Sequence, residues 1–188
     1  MLEMASSGAG VFMARSVEFG RRYNVPIIVK STFKNNEGTE VKEKVMEEAL
    51  VSGVTHNTKE VKFTLFEVPD QPGIAGTVFG SLSQIGINVD MIVQNVSKDS
   101  ITDISFTAPT EQKDAVEDML KNIATELKAK GYDVDENVGR VSIIVAGMKS
   151  ESGVASKMFQ ILGENSINIS MISTSPIRVS CVIESKDI

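Results

Sequence analysis

Apolar and polar residues alternate at Val61, Phe63 and Leu65, the period of a strand with one buried face. A break at Pro69-Asp70-Gln71-Pro72-Gly73 follows. Apolar positions then fall at Ile74, Val78, Leu82 and Ile85, with Ala75 and Phe79 beside them, which is helical spacing, and Gly86 stands where a C-cap belongs. Two strands are predicted next, over 88–96 and 101–107, joined through the turn-like Ser97-Lys98-Asp99-Ser100. Residues 111–130 carry Val116, Met119, Leu120, Ile123 and Leu127, with acids early and lysines late. That pattern suits an amphipathic helix and its dipole, stopped by Gly131. A short strand over 132–138 completes the order βαββαβ, the ferredoxin-like pattern of an α+β fold.

The same unit occurs twice. Residues 61–94 match residues 141–174 at a constant offset of 80, with Gly73 on Gly153, Ala75 on Ala155, Phe79 on Phe159, Asn88 on Asn168 and Met91 on Met171. The second copy runs through strand, helix and hairpin to Ile183, and its last helix and strand are missing. An incomplete sheet leaves an edge that something else has to cover. The N-terminal segment is the expected cover: a helix over 2–23, a strand over 25–33 that joins the second sheet, and a turn at 34–38. The expected division is therefore 1–57 as an upstream piece plus linker, 58–138 as the first domain, and 139–188 as a second domain completed by the N-terminal strand.

Composition narrows the function classes. With 188 residues, of which 41% are hydrophobic, the chain can bury a core of useful size. A net charge of -6 offers no basic field for nucleic acid or anionic membrane. One cysteine, Cys181, and one histidine, His56, exclude disulfide frameworks and Cys/His zinc sites, and no metal or other cofactor is expected. No leader or membrane-length apolar segment is read, and a reducing cytoplasm is the expected setting. Ser6-Ser7-Gly8-Ala9-Gly10 lacks the lysine and preceding strand of a phosphate loop. Glu47-Glu48 reads as a solvated helix face.

The Pro-Gly turn opening the first helix and the stretch INVDMIVQNVS after it resemble the paired ACT domains at the C-terminus of aspartokinase. ITDISFTAP, VAGMKSESGVASKMF and ISMISTSPIRVSCVI carry the same likeness, and GAGVFMARSVEFGRRYNVPIIVKSTFKNNEGTEV resembles the end of the kinase domain. The resemblance implies an allosteric regulator that binds lysine, threonine or both as end products and mediates feedback inhibition. It also implies a homodimer and a catalytic aspartokinase α subunit as partner, with no catalytic residues in this chain. Either a regulatory β subunit from an internal start or a cut regulatory fragment would look like this.

A free amino acid presents an ammonium and a carboxylate, and the repeat can meet both. The helix N-terminus at Gly73-Ile74-Ala75 offers backbone N–H groups to a carboxylate. Asp70 and Asp90 can receive the ammonium, and Gln94 both donates and accepts. By resemblance the effector set is Asp70, Gly73, Ile74, Ala75, Asn88, Val89, Asp90 and Gln94, joined by Asn168 and Ile169 of the second unit facing the first across a dimer. Asp70 is matched by Ser150 and Asp90 by Ser170, so the second pocket should bind weakly or serve as a wall. Plainer readings exist: Asp70 as a turn residue, the two asparagines as caps, Asp90 and Gln94 as solvated groups, and Met91 with Met171 as core. Ser105 and Ser180 are secondary candidates. The rival functions are a structural dimerisation module and a small ferredoxin-like enzyme using Asp90 or Asp103.

Overall fold

The structure is a computed structural model and describes all residues except 1, 11, 42–50, 96–98 and 146–152. In chain order its elements are α1 (Leu2–Ser6), α2 (Ala14–Arg22), β1 (Ile27–Val29), β2 (Thr39–Val41), β3 (Val51–Asn57), β4 (Glu60–Pro69), α3 (Ile74–Gln84), β5 (Ile92–Gln94), β6 (Ile101–Pro109), α4 (Lys113–Glu126), β7 (Gly131–Asp135), β8 (Val138–Val145), α5 (Val154–Glu164), β9 (Met171–Ser175) and β10 (Arg178–Glu184). The chain forms two compact units. One comprises Met1–Asn57, Val141–Ser166 and Thr174–Ser180, the other Thr58–Arg140, Ile167–Ser173 and Cys181–Ile188.

The larger unit contains the first repeat as a four-stranded sheet in the order β5-β6-β4-β7, all antiparallel, the strand order of a ferredoxin-like βαββαβ fold. Its core follows from the alternation: Val61, Phe63 and Leu65 are fully buried, and so are Ile104 and Phe106 on the neighbouring strand. Phe63 is the register partner of Phe106, with ring centroids 5.4 Å apart, and Phe79 of α3 meets Phe106 edge-on at 5.7 Å. Val78 and Leu82 of α3 and Val116, Leu120 and Ile123 of α4 close the same core. Gly86 caps α3 as expected: the Gly86 N–H donates to Ser83 O at 3.0 Å, the Ile87 N–H to Leu82 O at 2.9 Å, and Gly86 has φ 73°.

Several expected boundaries shift. The helix expected over 111–130 begins in a 3-10 turn and ends at Glu126, because Lys128 adopts φ 54° and the Ala129 N–H returns to Ala124 O at 2.9 Å. Gly131 then opens β7, which ends at Asp135 and not at 138. Among the described residues of the strand expected over 88–96, regular strand covers Ile92–Gln94, and just before it the Met91 N–H donates to the Thr107 hydroxyl at 3.3 Å. β4 carries a bulge between Leu65 and Val68, where Glu67 has φ 50° and its N–H is held by Asp103 Oδ1 at 2.8 Å.

The second repeat supplies β8, α5, β9 and β10 to a four-stranded sheet in the order β3-β8-β10-β9. The N-terminal segment does contribute a strand to this fold, but through β3. The strand expected over 25–33 is a three-residue piece that pairs with β2, Ile28 opposite Glu40, in a separate two-stranded sheet. The helix expected over 2–23 is two helices parted at Gly8 and Gly10, both with positive φ. Gly8 has to be glycine, because an added Cβ would sit 2.3 Å from His56 O. Among the described residues no helix is long and apolar enough to cross a membrane.

Truncating Phe106 to Ala removes both ring contacts and leaves a cavity in the sheet-helix core. Urea unfolding should show a loss of about 3 to 5 kcal/mol. Cys181 is fully buried and burial pushes its thiol up to about 11. Iodoacetamide at mildly alkaline pH should leave it unmodified in the native protein and alkylate it in urea, as read by intact mass.

Candidate functional site

The turn after β4 is built from Pro69-Asp70-Gln71-Pro72-Gly73, and two facts hold it open. The Asp70 N–H donates to Ser100 O at 2.8 Å, which ties the turn to the start of β6. Gly73, at φ 101°, is the N-cap of α3, and nothing lies within 4 Å of where its Cβ would stand. In the first turn, the Ile74 N–H donates to Gln71 O at 3.3 Å and the Thr77 N–H to Gly73 O at 3.0 Å. The N–H groups of Ala75 and Gly76 are left, among the described residues, for solvent or a ligand. The Asp70 carboxylate likewise has no partner among the described residues. An open helix N-terminus beside a carboxylate offers opposite charges to a zwitterion.

The rest of the expected set is divided. Gln94, exposed and without a side-chain partner among the described residues, is paired with Ile104 midway along β6. Asn88, Val89 and Asp90 lie further on, where the Asp90 N–H donates to Thr107 O at 3.2 Å. Ser100 and Thr107 are seven residues apart, so the Asp70 and Asp90 ends are separated by roughly 23 Å of extended strand. Asn168 and Ile169 belong to the same compact unit and lead into Met171, which shares a buried cluster with Met91, Val138 and Val182. Two groups therefore result: Asp70, Gly73, Ile74, Ala75 and, partway along, Gln94; and Asn88, Val89 and Asp90, with Asn168 and Ile169 near Met171.

Asp90 is not the solitary acid the sequence suggests. Its carboxylate is bound by the Arg140 guanidinium, which also reaches Glu60 Oε1 at 2.8 Å. Arg140 and Glu60 are buried, whereas the Asp90 side chain is 37% exposed. Neither Arg140 nor Glu60 was singled out from the sequence. A signal existed: a glutamate and an arginine stand at matched places, 60 and 140, each directly before the first strand run of its repeat.

The other residues named from the sequence are partnered, exposed or outside the described residues. The Ser180 hydroxyl is buried against Ser142 at 2.8 Å, and that of half-buried Ser105 is hydrogen-bonded to Thr64 at 3.0 Å. His56 is exposed on β3. Ser150, Glu47-Glu48 and Ser97-Lys98 lie outside the described residues. A concavity of about 380 Å³ lined by Phe66, Glu67, Asp103, Lys130, Gly131 and Tyr132 contains none of the expected effector residues, though Asp103, the acid named for the rival enzyme, is on its wall. Its charges are already committed: Lys130 is paired with Glu67, and this hydrogen bond and the Glu67 charge hold the ammonium above the usual lysine range. Among the described residues no cluster of His, Cys, Asp or Glu is placed to hold a metal.

Tandem sheet-helix units, each with a helix opened by a left-handed glycine, define a class that comparison with known proteins identifies. The ACT domain family model matches residues 67–122 and 141–188. The chain is 48% identical over 189 residues to the aspartate kinase of Pseudomonas fluorescens, covering 99% of this chain and 46% of that protein. It is 33% identical to the ligand-free regulatory subunit of aspartate kinase from Thermus thermophilus, with a TM-score of 0.70, covering 73% of this chain and 91% of that one. The same fold, at 23% identity and a TM-score of 0.72, occurs in E. coli aspartokinase III in complex with lysine and aspartate, covering 99% of this chain and 41% of that one. The chain belongs to the ACT domain family, among the regulatory regions of aspartokinases. It spans about half the length of the curated relatives it matches.

The turn geometry separates two neighbouring glycines. Gly73→Ala forces an L-residue into the left-handed region and should cost about 1 to 2 kcal/mol. Gly76→Ala, inside α3 with nothing within 4 Å of the new methyl, should stabilise by about 0.5 to 1 kcal/mol. Paired thermal melts check both signs.

Proposed function

We propose that the chain is the amino-acid sensor of an aspartokinase, binding lysine, threonine or both and transmitting feedback inhibition to a catalytic part that it does not itself contain. The observation that carries this reading is the open turn at Gly73. Its unpartnered N–H groups suit an α-carboxylate, and Asp70 suits the α-ammonium. Membership among aspartokinase regulatory regions supplies the class of ligand. Such a part would act as a homodimer in the cytoplasm, with the aspartokinase α subunit or kinase domain as its partner.

Regulation then needs only differential binding. An effector that fits one arrangement of two paired chains better than another shifts the balance toward it, and a coupling of about 1 to 3 kcal/mol is ordinary for allostery. The separation of the Asp70 and Asp90 groups along β6 supports a site that draws on more than one surface. A second copy would supply what one turn lacks.

Isothermal titration with lysine and with threonine tests the reading. Heat with either is expected, and Asp70→Ala or Gln94→Ala should each weaken binding by about 1 to 3 kcal/mol, the cost of leaving a charged or polar ligand group without its partner. Silence with both amino acids would leave a dimerisation module. Unchanged affinity in both variants would move the site away from this turn.

A further inference from the structure

Arg140 is nearly inaccessible, yet it reaches a carboxylate that is partly in solvent. The Arg140 side chain is 2% exposed, its partner Glu60 5% and its partner Asp90 37%. The group thus has a dry end and a wet end, with the guanidinium between them. Arginine suits this place because its planar fork can face two carboxylates at once, which an ammonium on a flexible stem does not. Glu60 starts β4 and Arg140 lies in β8, both in regular strands, so the guanidinium is held from the sheet side. Asp90 lies in the stretch before β5, outside regular strand, where the Asp90 N–H donates to Thr107 O at 3.2 Å, Met91 O accepts from the Thr107 N–H at 3.0 Å and the Met91 N–H donates to the Thr107 hydroxyl at 3.3 Å. The backbone bonds to Thr107 place the Asp90 main chain, and the guanidinium places its carboxylate.

The pairing also follows the repeat. Glu60 and Arg140 occupy matched positions of the two copies, and they bind each other as Met91 and Met171, also matched, share one buried cluster. At the matched place of Asp90 the second copy has Ser170, which has no charge for a guanidinium to hold.

We infer that Arg140 is a positioning residue for effector recognition: anchored by Glu60, it fixes the Asp90 carboxylate and with it the Asn88–Val89–Asp90 edge of the site. This rests on the reading of the chain as an amino-acid sensor. The side chain itself, being buried, does not touch the ligand.

The test uses the full chain and two readouts. Hydrogen exchange over residues 88–94 is measured without any amino acid, and affinities for lysine and threonine are measured by calorimetry. Arg140→Met should speed exchange at Asp90 and Met91 and weaken the bound amino acid by about tenfold or more, which corresponds to about 1.4 kcal/mol. Asp90→Asn should weaken it comparably, and the double variant should be no weaker than either single one, since both remove the same link. Arg140→Lys, which keeps the charge and loses the fork, should show a smaller form of both effects, and it carries the test if Arg140→Met does not fold. Unchanged exchange and affinity in folded Arg140 variants would overturn the inference. A lowered melting temperature with affinity unchanged would overturn it too, leaving Arg140 only structural. If the wild-type chain binds neither amino acid, the sensor reading falls, and the effector role of Arg140 falls with it. Exchange in the variants would then still report whether Arg140 orders this edge.

Discussion

A guanidinium taken out of water has to bring its counter-charges with it, because an isolated buried charge costs more than the whole net stability of a small domain. Arg140 is such a group, and much else in the larger unit is arranged around it. Glu60 must begin β4 where it does, and the chain ahead of β5 must pass close enough for Asp90 to bind. Beside these charges stands an apolar cluster in which Met91 and Val138 of the first domain's sequence meet Met171 and Val182 of the second repeat. Ion pair and methionine contact make different contributions. Burial of the methionines supplies free energy without direction, whereas a buried fork between carboxylates tolerates little sliding and fixes register.

The parts of the fold legible in the sequence were those governed by short periods. Alternation at Val61, Phe63 and Leu65 and helical spacing from Ile74 to Ile85 each report a single buried face, which local sequence encodes directly. Gly73 and Gly86 were legible for a related reason: a left-handed residue at a helix end is a local demand. What escaped was set by partners distant in sequence. The strand over 25–33 looked as apolar as any other, yet pairing is a competition between strands. β3, with only Thr55 buried along it, takes the edge that Val25 to Phe33 seemed to suit better. Lys128 ends α4 early in a conformation that is rare for lysine, and no residue type there announces it.

The candidate site divides along the same line. Asp70 and Gly73 were found because turn chemistry and helix geometry lie within five residues of each other. Arg140 was missed because its meaning lies in two residues, 50 and 80 positions away, and a single arginine in a strand gives no hint of its partners. The offset of 80 contained that information, for the two charged residues of opposite sign stand at matched positions. Comparing the copies for differences in charge, and not only for identities, would have paired them.

The two ends of β6 bear on what kind of site this can be. The ammonium and carboxylate of a free amino acid are attached to one carbon, so no single molecule can touch Asp70 and Asp90 of the same chain when several strand residues separate them. Either the residues carried over from the family belong to two sites, or they are halves that meet when surfaces combine. Both cases give the same physical consequence: a ligand bound at one end alone gains contacts from few groups, and its affinity depends on what the opposing surface adds. A sensor built so is coupled to assembly by construction, because the ligand and the second surface stabilise each other reciprocally. Rigidity at the Asp90 end then matters along with its charge. Glu60 and Asp90 share one guanidinium, so the three groups keep a net negative charge for an ammonium, and a carboxylate already held in place costs little ordering when contact is made.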